Sequence, residues 1–159
     1  MKKDSRGFSL IELLIVVAII LIIAAIAIPN LLKSRIAANQ ASAIGSLRTI
    51  NTAELMYSST YNTGYSSSLQ ALGPPASGNG TASAAGMITS DLASGSKQGY
   101  SFVYAATADA SGRYNSYTVN ANPITVGTTG TNYFFTDQTG VYRQNSTQQA
   151  SASDPPIGG

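Results

Sequence analysis

Residues 8–28 read FSLIELLIVVAIILIIAAIAI, and only Ser9 and Glu12 among them are polar. As a helix, 21 residues at about 1.5 Å each cover the ~30 Å hydrocarbon core of a bilayer. No small water-soluble domain can hide so long a run on its surface, so the segment demands a membrane or a bundle of its own kind. Lys2, Lys3 and Arg6 precede it, and a basic flank of this sort stays on the cytoplasmic side. The difficulty is Glu12. An acid at the centre of a membrane helix costs ~2.5–3.5 kcal/mol on insertion scales. Its place near the cytoplasmic end lets it snorkel and lowers that cost, but gives no reason for keeping it.

Three readings compete. A signal peptide has a shorter apolar core and a small-x-small cleavage site, whereas PNLLKSRIAANQAS follows here and continues a helical pattern. A plain anchor fits the length and leaves Glu12 unexplained. The third reading takes the residues together: GFSLIE, then an apolar helix, then IPN, at residues 7–12 and 28–30. This pattern resembles the type IV pilin and pseudopilin family. The resemblance implies that prepilin peptidase cuts between Gly7 and Phe8 and that the new amine of Phe8 is N-methylated. It implies that Glu12, fifth residue of the processed chain, meets the Phe8 amine of a neighbouring subunit in a filament. Each charge then offsets the burial of the other, and breaking such a buried pair costs ~3–5 kcal/mol. Pro29 stands where many members carry proline and is expected to bend the helix, because it lacks an N–H for the α-helical ladder. One position departs from the pattern: Leu21 occupies a place where many filament-forming members have glycine. Leucine favours helix by ~0.8–1.0 kcal/mol over glycine, which weighs against local melting there.

Beyond Pro29 the helical pattern persists. Leu32, Ile36, Ala43, Leu47, Ile50, Ala53 and Tyr57 recur mostly at gaps of three, four or seven, the signature of one helix face. Lys33, Arg35, Asn39, Gln40, Ser46, Arg48 and Asn51 are assigned to the other faces. One long bent helix over residues 8–59 is expected. Residues 60–99 are rich in Ser, Gly, Ala and Thr, with breakers at residues 73–75 and 78–80. Within them SLQALG and AGMITSDLAS suggest short helical turns.

Residues 100–145 read as strands: YSFVYAATA, YNSYTVNA, TNYFFTD and VYRQN, with ADASGR and QTG as turns. Tyr100, Phe102 and Tyr104 alternate with Ser101, Val103 and Ala105, and Tyr117, Val119 and Ala121 share a side. The expected fold is α+β: a long bent N-terminal helix, its first half apolar and transmembrane, packed on a small antiparallel sheet of three or four strands. The division is a basic leader (1–7), a transmembrane and assembly helix (8–29), an amphipathic half-helix (30–59), an αβ-loop (60–99), a sheet (100–145) and a flexible tail (146–159) with little to bury.

The chain has no cysteine and no histidine. That removes disulfides, thiolate and imidazole chemistry. No metalloprotease, nucleophile-elbow, P-loop or dinucleotide motif is present. No catalytic, cofactor-binding or metal-binding residues are expected, and the chain reads as a non-enzyme. A calcium site around Asp137 rests on one carboxylate, thin support for an ion that takes 6–8 oxygens. Taking away residues 1–7 removes three of nine basic and one of seven acidic residues, leaving six of each. A nearly neutral head argues against nucleic acid as a partner.

The function implied by the resemblance is that of a structural subunit of a type IV pilus, serving attachment or twitching motility. Its partners are copies of itself, prepilin peptidase, and the inner-membrane assembly platform with its ATPases. The precursor spans the inner membrane once with its N-terminus cytoplasmic, and the mature subunit sits in an extracellular fibre. Two alternatives stay open: a pseudopilin of a type II secretion system, which is periplasmic, and a minor or tip subunit that binds DNA or a surface. Tyr57, Tyr61 and Tyr65, spaced by four, are read as packing or interface residues. Asn79 and Asn145 each begin an N-x-[ST] acceptor pattern.

Overall fold

The computed structural model describes residues 8–158. The residues of the proposed leader, Gly7 among them, lie outside that range. Contacts divide the chain into two units, Met1–Arg35 and Ile36–Gly159.

One helix, α1, runs Leu10–Tyr61 with Pro29 inside it. In the first unit its side chains are exposed: Ile15, Ile20, Leu21 and Ile26 each show more than half of their surface. A helix satisfies its backbone polar groups internally, so this sequence can lie in lipid without orphaned N–H or C=O groups. Pro29 is the exception, since it offers no N–H to the carbonyl of Ala25. The helix ends two residues later than its periodicity indicates. Asn62 closes it with φ of 54°, and asparagine is among the few side chains that tolerate that left-handed position after a helix.

In the second unit α1 buries Ala43, Leu47, Ile50, Ala53 and Tyr57, the positions its spacing marks. They join one core with Tyr100, Phe102, Tyr117, Val119, Ala121 and Phe134 from the sheet. Two four-residue helices follow α1: α2 (Leu69–Leu72), whose N-cap Ser68 accepts the Ala71 N–H, and α3 (Ser90–Ala93). Leu69, Leu72, Leu92 and Ala93 carry them into the same core. The Ser/Gly-rich stretch is therefore a folded loop anchored by a few apolar residues.

The sheet has five strands, not three or four. They are β1 (Ser96–Lys97), β2 (Tyr100–Ala108), β3 (Tyr114–Pro123), β4 (Tyr133–Asp137) and β5 (Arg143–Asn145). All neighbouring pairs are antiparallel and the spatial order follows the chain. The extra strand is made by a two-residue turn: Lys97 pairs with Tyr100 across Gln98 (φ 48°) and Gly99 (φ 77°). Positive φ at both central residues is the type I′ geometry that suits strand twist. Gln-Gly is a weaker written signal than Asn-Gly, and it passed as loop. The β2–β3 turn is built as its sequence indicates. Gly112 has φ of 82°, and Asp109 Oδ1 accepts the N–H of Ser111 and of Arg113.

Two expectations need correction. Asn39, Ser46 and Asn51, assigned to polar faces, are buried, because hydrogen bonds within the head satisfy the two amides. Asn39 Nδ2 donates to Thr129 O at 2.9 Å. The segment after β5 buries more than its composition suggests. Ala150 is 3% exposed and Ile157 packs against the core. Asn120 donates to Ala150 O at 2.6 Å, the Arg143 guanidinium to Asp154 O at 2.8 Å, and the Ile157 N–H to Tyr142 O at 2.8 Å. Asp154 shapes the turn itself, accepting from the Ser151 N–H (2.7 Å) and Asn145 Nδ2 (2.8 Å).

Candidate functional site

The N-terminal residues form the site the sequence singles out. Phe8 is 82% exposed, and Glu12 is exposed in the first turn of α1. Glu12 Oε2 accepts the Ser9 N–H at 2.9 Å. From Leu10 to Leu32 the large apolar side chains stand uncovered: Leu10, Ile11, Leu13 and Leu14 each exceed half exposure. An apolar surface of this extent marks a partner or a membrane, and α1 alone among the described helices is long and apolar enough to cross one.

A second polar constellation lies inside the head, and reading of the sequence missed it. Glu54 is completely buried. It receives the Ser66 N–H (2.8 Å), the Ser66 hydroxyl (2.6 Å) and the Tyr104 hydroxyl (2.7 Å). Both hydroxyls have a second acceptor: Ser68 O at 3.0 Å for Ser66, and Ser66 O at 2.8 Å for Tyr104. Three residues back on the helix, Asn51 donates to Thr136 Oγ1 (3.0 Å) and accepts the Tyr117 hydroxyl (2.9 Å). Tyr104 and Tyr117 stack with centroids 5.7 Å apart. Burial, then the Glu54 carboxylate, push both phenols up from their usual value. They stay protonated, as donors must. The written signal was spacing: Glu54 is four residues after Ile50 and three before Tyr57, on the apolar stripe itself. This seam fastens the start of the loop to α1 and β2, and it offers no open position for a substrate.

Other singled-out residues fall into structural roles. Tyr57 and Tyr61 meet with centroids 4.8 Å apart, but Tyr65 packs on Tyr117 instead, beyond the end of α1. Asn145 is held at both ends of its amide: Oδ1 accepts the Thr147 N–H at 2.9 Å, and Nδ2 donates to Asp154. Asn79 is exposed. The Asp137 carboxylate accepts the Thr139 N–H within its own turn. Among the described residues no cluster of three or more metal-ligating side chains forms.

The described residues thus combine an exposed apolar helical segment with an antiparallel α+β head. Residues 2–28 match the family model of the prokaryotic N-terminal methylation motif. Over 50 residues the chain is 54% identical to the Type IV major pilin protein PilA of Myxococcus xanthus, a match covering 31% of this chain and 23% of that protein. Over 37 residues it is 62% identical to the Type IV wide pilus major component PilA4 of Thermus thermophilus, covering 23% of this chain and 28% of that one. The matched segments thus span about a quarter of each relative's length. No solved structure matches the chain. Over this N-terminal segment the chain is similar to type IV pilins.

Proposed function

We propose that the chain is a structural subunit of a type IV pilus that serves attachment or twitching motility. The carrying observation is a division of burial along one helix. None of the residues of α1 before Asn39 is buried, while those from Asn39 to Tyr57 help to close a core. Such a head needs no partner to fold, and such a helix needs many. The precursor sits in the inner membrane with residues 1–7 in the cytoplasm. Prepilin peptidase cuts between Gly7 and Phe8 and the Phe8 amine is methylated. Copies then join through the apolar helix, driven by the assembly platform and its ATPases, with Glu12 of one copy opposite the Phe8 amine of the next. Pro29 is the proposed point at which the helix yields to the curvature of the fibre.

Mass spectrometry of sheared surface fibres tests this. The expected chain starts at Phe8 and is one methyl group heavier than its sequence. A chain still starting at Met1, or surface fibres that persist unchanged in a deletion strain, refutes the reading. Periplasmic protein with no surface fibre, in a strain that loses protein export on deletion, replaces it with the pseudopilin.

A further inference from the structure

The family pairing leaves one property of Glu12 unexplained: it is already hydrogen-bonded within its own chain. The Ser9 carbonyl accepts the Leu13 N–H at 3.2 Å, which makes Ser9 the N-cap of α1 and Glu12 its third residue. The Ser9 N–H returns to Glu12 Oε2 at 2.9 Å. This is the reach-back half of a capping box, in which glutamate and glutamine both serve. The first-turn N–H groups of any helix lack internal partners, and in lipid no water replaces them. A carboxylate there also faces the positive end of the helix dipole. Among the described residues Oε2 is the oxygen so engaged, and no hydrogen bond reaches Oε1.

We propose that the two oxygens of Glu12 do separable jobs: Oε2 closes the first turn of its own helix through the Ser9 N–H, and Oε1, held in place by that bond, receives the cation of a neighbouring copy. The outward half rests on the assembly reading above; the inward half does not. Ser9 is then a positioning residue, acting through its backbone and not its hydroxyl. The acid is partnered before any neighbour arrives, which lowers the cost of holding the lone precursor in the membrane.

The test uses the full-length chain in detergent micelles, with Ser9 amide exchange followed by NMR, beside fibre yield in cells lacking the wild-type protein. Glu12→Gln keeps an acceptor of the right reach and loses the charge; Glu12→Ala loses both. Ser9 exchange should be alike in wild type, Glu12→Gln and Ser9→Ala, and about tenfold faster in Glu12→Ala, as expected for one lost hydrogen bond. Fibres should fall in both Glu12 variants and persist in Ser9→Ala. Equal Ser9 exchange in wild type and Glu12→Ala overturns the inward job, whatever the fibres do. Protected Ser9 with normal fibres in Glu12→Gln overturns the outward job, and the ion pair with it, while the cap stands.

Discussion

Replacing Glu54 by alanine should destabilise the head far more than replacing it by glutamine. The three donors to its carboxylate differ in what they do once it is gone. The Ser66 hydroxyl can turn to Ser68 O and the Tyr104 hydroxyl to Ser66 O, contacts already at 3.0 and 2.8 Å. The Ser66 N–H has no second acceptor, and Ser66 is fully buried. An orphaned buried donor costs about 1–3 kcal/mol, and the space left by the missing side-chain atoms adds about 1–2 kcal/mol. Relief from burying a carboxyl group offsets part of this, so about 2–3 kcal/mol is expected for Glu54→Ala. In Glu54→Gln the carbonyl oxygen still accepts the Ser66 N–H, and the amide can donate to a reoriented hydroxyl oxygen. Its cost should stay near 1 kcal/mol, the worth of one imperfect hydrogen bond. The assay is urea unfolding of residues 30–159 followed by circular dichroism. With a slope of about 1–3 kcal/mol per molar urea, the alanine midpoint should fall by roughly 1–2 M and the glutamine midpoint by less than half of that. Equal losses in the two variants, or none in alanine, would falsify the claim that a Ser66 N–H without a second acceptor sets the cost.

Four further outcomes are expected. Residues 30–159 alone should be soluble and monomeric by sedimentation, since the head core holds Leu47, Ile50, Tyr100 and Phe134 at no more than 1% exposure without residues 8–29; micromolar dimers or fibres would contradict this. Gly130→Ala should lower stability by about 1–3 kcal/mol, as overpacking does, because the new Cβ overlaps the ring of Tyr100, which is itself fully buried and fixed to Asn132 O at 2.8 Å. Leu47→Asp should leave residues 30–159 unfolded by circular dichroism, because it puts an unpaired charge at a fully buried position. At alkaline pH the head should lose stability. Burial raises Tyr100 from 10.0 to about 12, so its contribution is complete below pH 10 and fades as pH climbs toward 12. Ultraviolet titration of the phenolates should therefore show part of the nine tyrosines ionising only together with unfolding.

The parts of the fold that sequence reveals are those with a simple period. A residue-by-residue match between spacing and burial holds for Ala43 through Tyr57 on the helix, and for Tyr100, Phe102, Tyr117, Val119 and Ala121 in the sheet. What escaped has one physical character: polar residues that bury because distant partners satisfy them. Asn51 needs Thr136 and Tyr117, which lie 85 and 66 residues away, and Glu54 needs Tyr104, 50 residues away. Polarity says where a side chain would be costly to bury, and only the fold says where that cost is met. Gln98-Gly99 escaped for a local reason, because glutamine is not a usual left-handed residue. At the N-terminus the motif pointed to Glu12, whereas its bond to the Ser9 N–H required the helix start to be placed to the residue.

The last turn of the chain has a consequence for crowding. Residues 155–157 lie along the outer side of β5, where Gln144 N–H meets Pro155 O at 3.2 Å and Arg143 bridges to Pro156. A strand with nothing on that side offers its backbone to any neighbour. The short segment acts as a permanent sham neighbour, occupying the place another copy would take. It is held by hydrogen bonds and by the packing of Ile157, in a chain without cysteine, so no oxidant has to act before the edge is closed. Trimming residues 150–158 should turn a well-behaved head into one that associates through β5, in reducing and oxidising buffers alike.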